Sequence, residues 1–262
     1  MAKLSEIIDF LNQIAPPEQK EDWDNIGFLT GQKDAKIYKC VLCLDVTSAV
    51  LDESIELGAN LIVSHHPFIF KPINSITDQT LQGRKLLKAI KNDINVFSAH
   101  TNLDSSEQGI NDYIARLLDL KDITRFGLKN CDWQGGRIGE LKEPVKLIEL
   151  AKKLKTLLND DSVRIVGKKD GLVKKIALIS GGAGKPEYLT AAVNAGADCY
   201  VSGDFSYHAA LEAFERDFSF IICSHYCMER VILNRLRGLL AERFADVQFI
   251  ISQKEQNPVE AI

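Results

Sequence analysis

An α/β fold with largely parallel sheets, divided into two similar lobes, is what the sequence predicts, and two observations carry it. Short apolar runs of strand length alternate with helix-patterned segments, and pieces of the first half recur in the second. Leu4, Ile7, Ile8, Leu11 and Ile14 fall at helical spacing ahead of Pro16 and Pro17, which predicts a helix over 4–14. The turn-rich stretch WDNIGFLTG (23–31) follows, and its Asp24 and Asn25 either border a site or serve as capping and turn residues. Strand 37–45, helix 48–57, strand 60–64, helix 79–92, strand 94–98 and helix 107–118 complete the first half. The second half reads as helix 144–158, strands 163–166 and 174–180, helix 186–195, strand 198–202, helix 207–216, strand 218–223, helix 226–243 and strand 247–251.

The repeats sharpen this into a duplication. Shifting the chain by 138 residues sets LDESIELGANLIVS (51–64) over LTAAVNAGADCYVS (189–202) without gaps. A shift of 125 sets SAHTNLD (98–104) beside CSHYCME (223–229), so that His100 overlies His225 and Asp104 overlies Glu229. Two α/β lobes, 1–125 and 126–262, joined into one compact unit, are therefore expected.

Composition narrows the function. The formal charge is −4 and the basic residues are scattered; their densest run, KKDGLVKK (168–175), reads as a solvated turn, so nucleic acid is not the expected ligand. Ser5, Glu6, Asp9 and Gln13 interrupt the first apolar stretch, and no run reaches the ~20 apolar residues that span a bilayer. A cytoplasmic protein that engages no membrane is the expectation. Six cysteines at irregular spacing fit free thiols. Cys40 and Cys43 form a CxxC inside a predicted strand, where residues three apart face opposite ways and cannot share an ion.

The chemistry gathers at strand ends. His65 and His66 in VSHHPF, His100 in SAHTNLD and His225 in CSHYCME each close a predicted strand, and His208 follows another in SGDFSYH. Loops at the carboxyl ends of strands in open α/β sheets converge on one crevice, where ligands bind. Imidazoles mixed with carboxylates suit zinc, iron, manganese, cobalt or nickel and match calcium poorly. His225 and Glu229, four apart at a helix start, share a face, and Pro67 ends strand pairing after His66. The donors outnumber the places in one closed tetrahedral site, so two ions sharing a bridging carboxylate is the economical arrangement. ISGGAGKPEYL (179–189) puts glycines between a strand and a helix, either as a tight turn or as a phosphate cradle.

WDNIGFLTG, CLDVT, SHHPFIFKP, SAHTNLD with GIND, SGDFSYH and SHYCMER, in this order along nearly the whole chain, resemble the NIF-three-like family. Bacterial members of that family are often labelled GTP cyclohydrolase I type 2 homologues. The resemblance implies a dinuclear metal site between two similar α/β lobes and a ring-shaped homohexamer. It implies His65, His66, Asp104, His225 and Glu229 as ligands, with Glu229 bridging. Longer relatives carry a domain inserted in the middle, for which 262 residues leave no room. One departure is local: Ser224 and Met228 stand before the histidine and glutamate of the last motif, where the family favours a Gly-containing turn and Ser or Thr.

Two functional readings follow. In the first, the protein is a metal-dependent hydrolase: two divalent ions less the charges of Asp104 and Glu229 leave about +2, suited to a metal-bound hydroxide and an anionic small-molecule substrate. His100 and His208 then serve as proton-transferring catalytic residues, and the family label points to a nucleotide such as GTP. In the second, a metal-loaded ring acts without turnover as scaffold, metal carrier or regulatory partner.

Overall fold

The computed structural model describes residues 2–128 and 133–260. The chain forms two units: the first runs to Leu103 and resumes over Ile232–Gln256, and the second comprises Asp104–Val231 with the segment from Asn257.

In chain order the first stretch contains β1 (Ala2–Lys3), α1 (Leu4–Ile14), β2 (Gly27–Thr30), β3 (Lys36–Ile37) and β4 (Lys39–Cys43). It continues with α2 (Ser48–Glu56), β5 (Leu61–Ser64), α3 (Leu81–Lys91), β6 (Asn95–Ser98) and α4 (Thr101–Ser105). The expected N-terminal helix is present at its expected bounds: Leu4, Ile7, Leu11 and Ile14 are buried, and the Glu6 carboxylate accepts from Lys3 N. Thr47 and Thr80 cap α2 and α3 by accepting from Val50 N and Gly83 N. β5 and β6 are buried throughout, with only Ser64, Asn95 and Ser98 polar, as central strands require.

The second stretch contains α5 (Ile110–Leu117), β7 (Lys121–Phe126), β8 (Gly136–Lys146), α6 (Leu147–Leu158), β9 (Arg164–Val166) and β10 (Leu172–Ile179). It closes with α7 (Pro186–Asn194), β11 (Cys199–Ser202), α8 (Tyr207–Glu215), β12 (Ser219–Ile222), α9 (His225–Arg243) and β13 (Gln248–Ile251). Its core packs Phe126, Leu189, Tyr200, Ala209 and Phe220, with the Tyr200 and Phe220 rings stacked at 5.4 Å.

Each unit holds one mixed sheet, of order β13-β4-β5-β6-β2 in the first and β7-β8-β10-β11-β12-β9 in the second. The parallel trios β4-β5-β6 and β10-β11-β12 match the expectation, and β2 and β9 close one side of each trio antiparallel. The sheets are less parallel than expected, because β7 and β8 form an antiparallel ladder that continues onto β10. Lys121–Phe126 and Gly136–Lys146 are charged and include Pro144, so they lack the apolar alternation that reveals a strand. The helix expected from 144 starts at Leu147 for the same reason, since β8 runs on to Lys146.

The unit boundary also differs from the expected division at 125/126. β13 pairs parallel with β4, Gln248 against Lys39, and so completes the first unit's sheet instead of the second's. Glu53 reinforces this by accepting from Ser252 Oγ and Gln253 N, and Glu255 by accepting from Leu44 N and Asp45 N at 2.7 Å each.

The repeat at offset 138 is reproduced in strand register, because Ser64 and Ser202 hold corresponding positions beside Cys43 and Ile179. The second offset needs correction. Ser98 pairs with Ser64 but Ile222 pairs with Ser202, so the last strands correspond at 124, not 125. Likewise, Ala99 N donates to Ser64 O as Cys223 N donates to Ser202 O. His100 therefore corresponds to Ser224, and His225 to Thr101.

Candidate metal centre

In the first unit three imidazoles meet. The ladder between β4 and β5 continues past its regular end, with His65 N donating to Cys43 O and His66 N to Leu44 O, before Pro67 ends it. His65 is buried, and its ring centroid lies 4.9 Å from that of His66 and 5.1 Å from that of His100; His66 and His100 are 5.5 Å apart. A nitrogen from each of the three falls within 4.8 Å of the others.

Every one of these rings is held at Nδ1 by an oxygen. His65 Nδ1 donates to Ala99 O at 2.8 Å, His66 Nδ1 to Asp45 Oδ1 at 3.0 Å, and His100 Nδ1 to Asp24 Oδ1 at 2.9 Å. A ring that carries its proton on Nδ1 keeps its lone pair on Nε2, which makes Nε2 the ligating atom; oxygen-anchored imidazoles of this kind are the usual surroundings of metal-binding histidines. Asp24 also accepts from Thr101 N and Thr101 Oγ1. Burial pushes its carboxyl up, but the bond and charge of His100 and the Thr101 donors together hold it below its ordinary value.

The second unit is carboxylate-rich. His225 Nδ1 donates to Asp204 Oδ2 at 2.9 Å, and one turn along α9 its Nε2 lies 3.0 Å from Glu229 Oε2. Burial alone would lower this imidazole's pKa, yet the two carboxylates push it up to about 10. Asp104 accepts from Ser180 Oγ at 3.2 Å, while Asn111 bridges Asp104 O and Ser180 N. Asp104 and Glu229 are both buried, and an oxygen of one lies within 4.8 Å of an oxygen of the other. Buried carboxylates so close repel each other unless a proton or cation intervenes.

The glycine turn belongs to this second set. Tyr200 Oη donates to Ala183 O, Asp204 N to Gly181 O and Ser206 N to Gly184 O, which fixes residues 181–184 against the end of β11. A Cβ on Gly181 would stand 2.5 Å from Glu229 Oε1, and its φ of +69° is left-handed; one on Gly184 would stand 1.5 Å from Asp204 O. These contacts support the tight-turn reading of ISGGAGKPEYL.

All five residues expected as ligands thus lie in these clusters: His65 and His66 in the first unit, Asp104, His225 and Glu229 in the second. Among the described residues, the groups able to hold a metal ion draw on these five and on His100. His208 sits elsewhere, exposed in the first turn of α8 with its ring edge-on to Tyr207. Sequence reasoning gave no role to Asp45, Asp204 or Glu255. Asp45 and Asp204 stand in CLDVT and SGDFSYH directly after strand ends, which is the available signal; Glu255 has none, since its contact with Leu44 spans 211 residues. Cys40 and Cys43 are buried in β4 with thiols raised by burial, consistent with inert structural cysteines.

Relatives match the chain along nearly its whole length. A Clostridium perfringens protein named GTP cyclohydrolase 1 type 2 homolog is 35% identical over 99% of this chain and 100% of its own. A Clostridium acetobutylicum protein of the same name is 34% identical over 98% and 97%. Among solved structures, the Staphylococcus aureus hypothetical protein SA1388 superposes with a TM-score of 0.88 at 30% identity, covering 99% of each chain. Reduced HcgD from Methanocaldococcus jannaschii does so with a TM-score of 0.85 at 28% identity, covering 96% of this chain and 98% of its own. The sequence model of Duf34/NIF3 (NGG1p interacting factor 3) matches residues 2–258, and with these relatives it establishes that the chain belongs to the Duf34/NIF3 family.

Proposed function

We propose that the protein is a metal-dependent hydrolase acting on an anionic, nucleotide-like substrate through a dinuclear metal centre. The observation that carries this reading is the state of the four imidazoles: His65, His66, His100 and His225 are each fixed at Nδ1 by an oxygen, and two buried carboxylates complete the set. That donor chemistry fits borderline transition metals such as zinc, iron, manganese, cobalt or nickel. His65, His66, Asp104, His225 and Glu229 would hold the ions. When bound, the ions would supply Lewis acidity and lower the pKa of water towards ~7.

The chain's own residues do the rest. Asp24 fixes the tautomer of His100 through Nδ1 and leaves Nε2 to exchange protons, the role a carboxylate plays for a catalytic histidine. His208, exposed on α8 beside Tyr207 and in none of the metal-type groups among the described residues, has no role in this reading. GTP enters as a candidate through the name of the relatives. Among the described residues no helix is long and apolar enough to cross a membrane, and we assign the protein to the cytoplasm as a homo-oligomer, a hexamer on family resemblance. Light scattering that returned the 29.2 kDa of one chain would overturn the assembly.

The decisive experiment couples elemental analysis to a hydrolase screen. After reconstitution with zinc, manganese and iron in turn, the protein should carry close to two ions per chain and act on GTP ring opening, a phosphoester or an amide, with activity lost to chelator and restored by metal. Full metallation with no turnover on any of the three would favour the scaffold or metal-carrier reading. His100→Ala should lower turnover and keep the metal; loss of metal instead would make His100 a ligand.

A further inference from the structure

The WDNIGFLTG segment carries a feature that neither metal ligation nor proton transfer uses. Trp23 is 55% exposed and Phe70 49% exposed, although both are large apolar rings that burial would favour. They lie together, ring centroids 5.8 Å apart at 59°, and both stand beside the histidines: Trp23 is 5.8 Å and Phe70 6.4 Å from the His100 ring.

Neither ring stands on a loose loop. Trp23 Nε1 donates to Glu21 Oε2 at 2.8 Å, and Glu21 N donates to Thr101 Oγ1, one residue beyond His100. Lys20 Nζ donates to Asp24 O at 2.9 Å, and the Asp24 carboxylate binds His100. Asn25 Nδ2 donates to Ile69 O at 2.6 Å, which ties the Trp23 loop to the residue preceding Phe70. Two aromatic faces are therefore held open to solvent in a fixed position next to a cluster of metal-type imidazoles. With the rings tilted at 59°, a flat π-system can lie face-on against one and meet the other edge-on, and stacking tolerates any base because each has a π-face.

We infer that Trp23 and Phe70 form a platform for the planar heteroaromatic ring of the substrate, placing a nucleobase beside His100 while the anionic end of the same molecule faces the metal donors. The platform rests on the proposed hydrolase reading only for that anionic end; the stacking itself needs no metal.

The test uses the full chain, zinc-loaded and metal-free, with guanosine, GMP, AMP, UMP and ribose 5-phosphate as probes. The protein has two tryptophans, so a Trp133→Phe background leaves Trp23 as the single emitter. Guanosine should quench Trp23 emission with or without zinc, and the nucleotides should do so more tightly with zinc. Equilibrium dialysis should show nucleotide affinity falling about tenfold in Trp23→Ala and in Phe70→Ala and largely recovering in Trp23→Phe, with ribose 5-phosphate unaffected. Unchanged nucleotide affinity in Trp23→Ala would overturn the platform, as would equal losses for ribose 5-phosphate. A change of assembly mass in Trp23→Ala with affinity intact would overturn it too, by assigning the rings to a subunit interface. Failure of the metal reading shows separately, as zinc absent from elemental analysis while guanosine still quenches Trp23.

Discussion

The two units share a wiring plan and differ in the chemistry mounted on it. Each contains a helix whose glutamate caps the preceding lysine N–H, Glu6 on Lys3 and Glu149 on Lys146, followed by an antiparallel strand and a parallel trio. At the ends of corresponding strands the residues diverge. Where β4 gives way to Asp45, which anchors His66, the matching position after β10 is Gly181, which lets Glu229 approach. Where β5 ends in His65 and His66, β11 leads to Gly203 and Asp204. Matching register positions fix where a side chain is presented and leave open what it is, so the first unit presents three imidazoles and the second two buried carboxylates beside one.

The comparison breaks most visibly at Glu229. If the carboxylate-rich set closes both ions, Glu229→Ala should fall from close to two ions per chain to nearly none by elemental analysis; retention of one ion would mean that the histidines of the first unit act alone. A smaller effect separates the anchoring carboxylates. Asp45→Asn and Asp204→Asn each leave a ligand imidazole in place but weaken its support, and each should cost about ten- to a hundredfold in metal affinity by competition with a chelator. Equal losses would show that the units contribute alike despite their different donors.

Acidity distinguishes them again, by up to about tenfold per pH unit. His225 sits near 10 in the metal-free protein, above its ordinary 6.5, so its ion pairs stabilise fully below 6.5 and are lost as pH rises through about 10. A metal must displace that proton, so affinity measured by zinc titration should climb with pH over that window. Asp24 has the opposite sign: held below 3.8, it stabilises above that value and loses its contribution as pH falls further. Thermal melts of metal-free protein should therefore soften at the alkaline end through the second unit and at the acid end through the first. The smallest expected effect is on the thiols. Cys40, Cys43 and Cys199 are buried and raised, so alkylation of the native protein at neutral pH should leave them intact by mass spectrometry.

Much of this was readable from the chain. Central strands announce themselves because they are apolar on both faces, and β5, β6, β11 and β12 fall within a residue or so of their expected ends. The histidines were legible because strand-end position and residue type coincide. Partners distant in sequence were not: Asp24 reaches His100 across 76 residues and Glu255 reaches Leu44 across 211, and no local pattern encodes either. The one-residue difference in the second repeat has the same origin, since SAH and CSH look alike while the ladders give Ser98 and Ile222 equivalent positions, against Ser64 and Ser202. The edge ladder of β7 and β8 was hidden by its charge, a common protection for strands at a sheet border.

The pairing of β13 with β4 has a consequence for the order in which the protein is made. All strands of the second sheet have been synthesised by Ile222, but the flank of β4 waits for Gln248–Ile251. On the ribosome the second unit's sheet can thus close first, while the first keeps the edge of β4 bare until β13 is made. A chain stalled before β13 would leave that edge exposed, which makes the first unit the aggregation-prone half and β13 the strand that seals it.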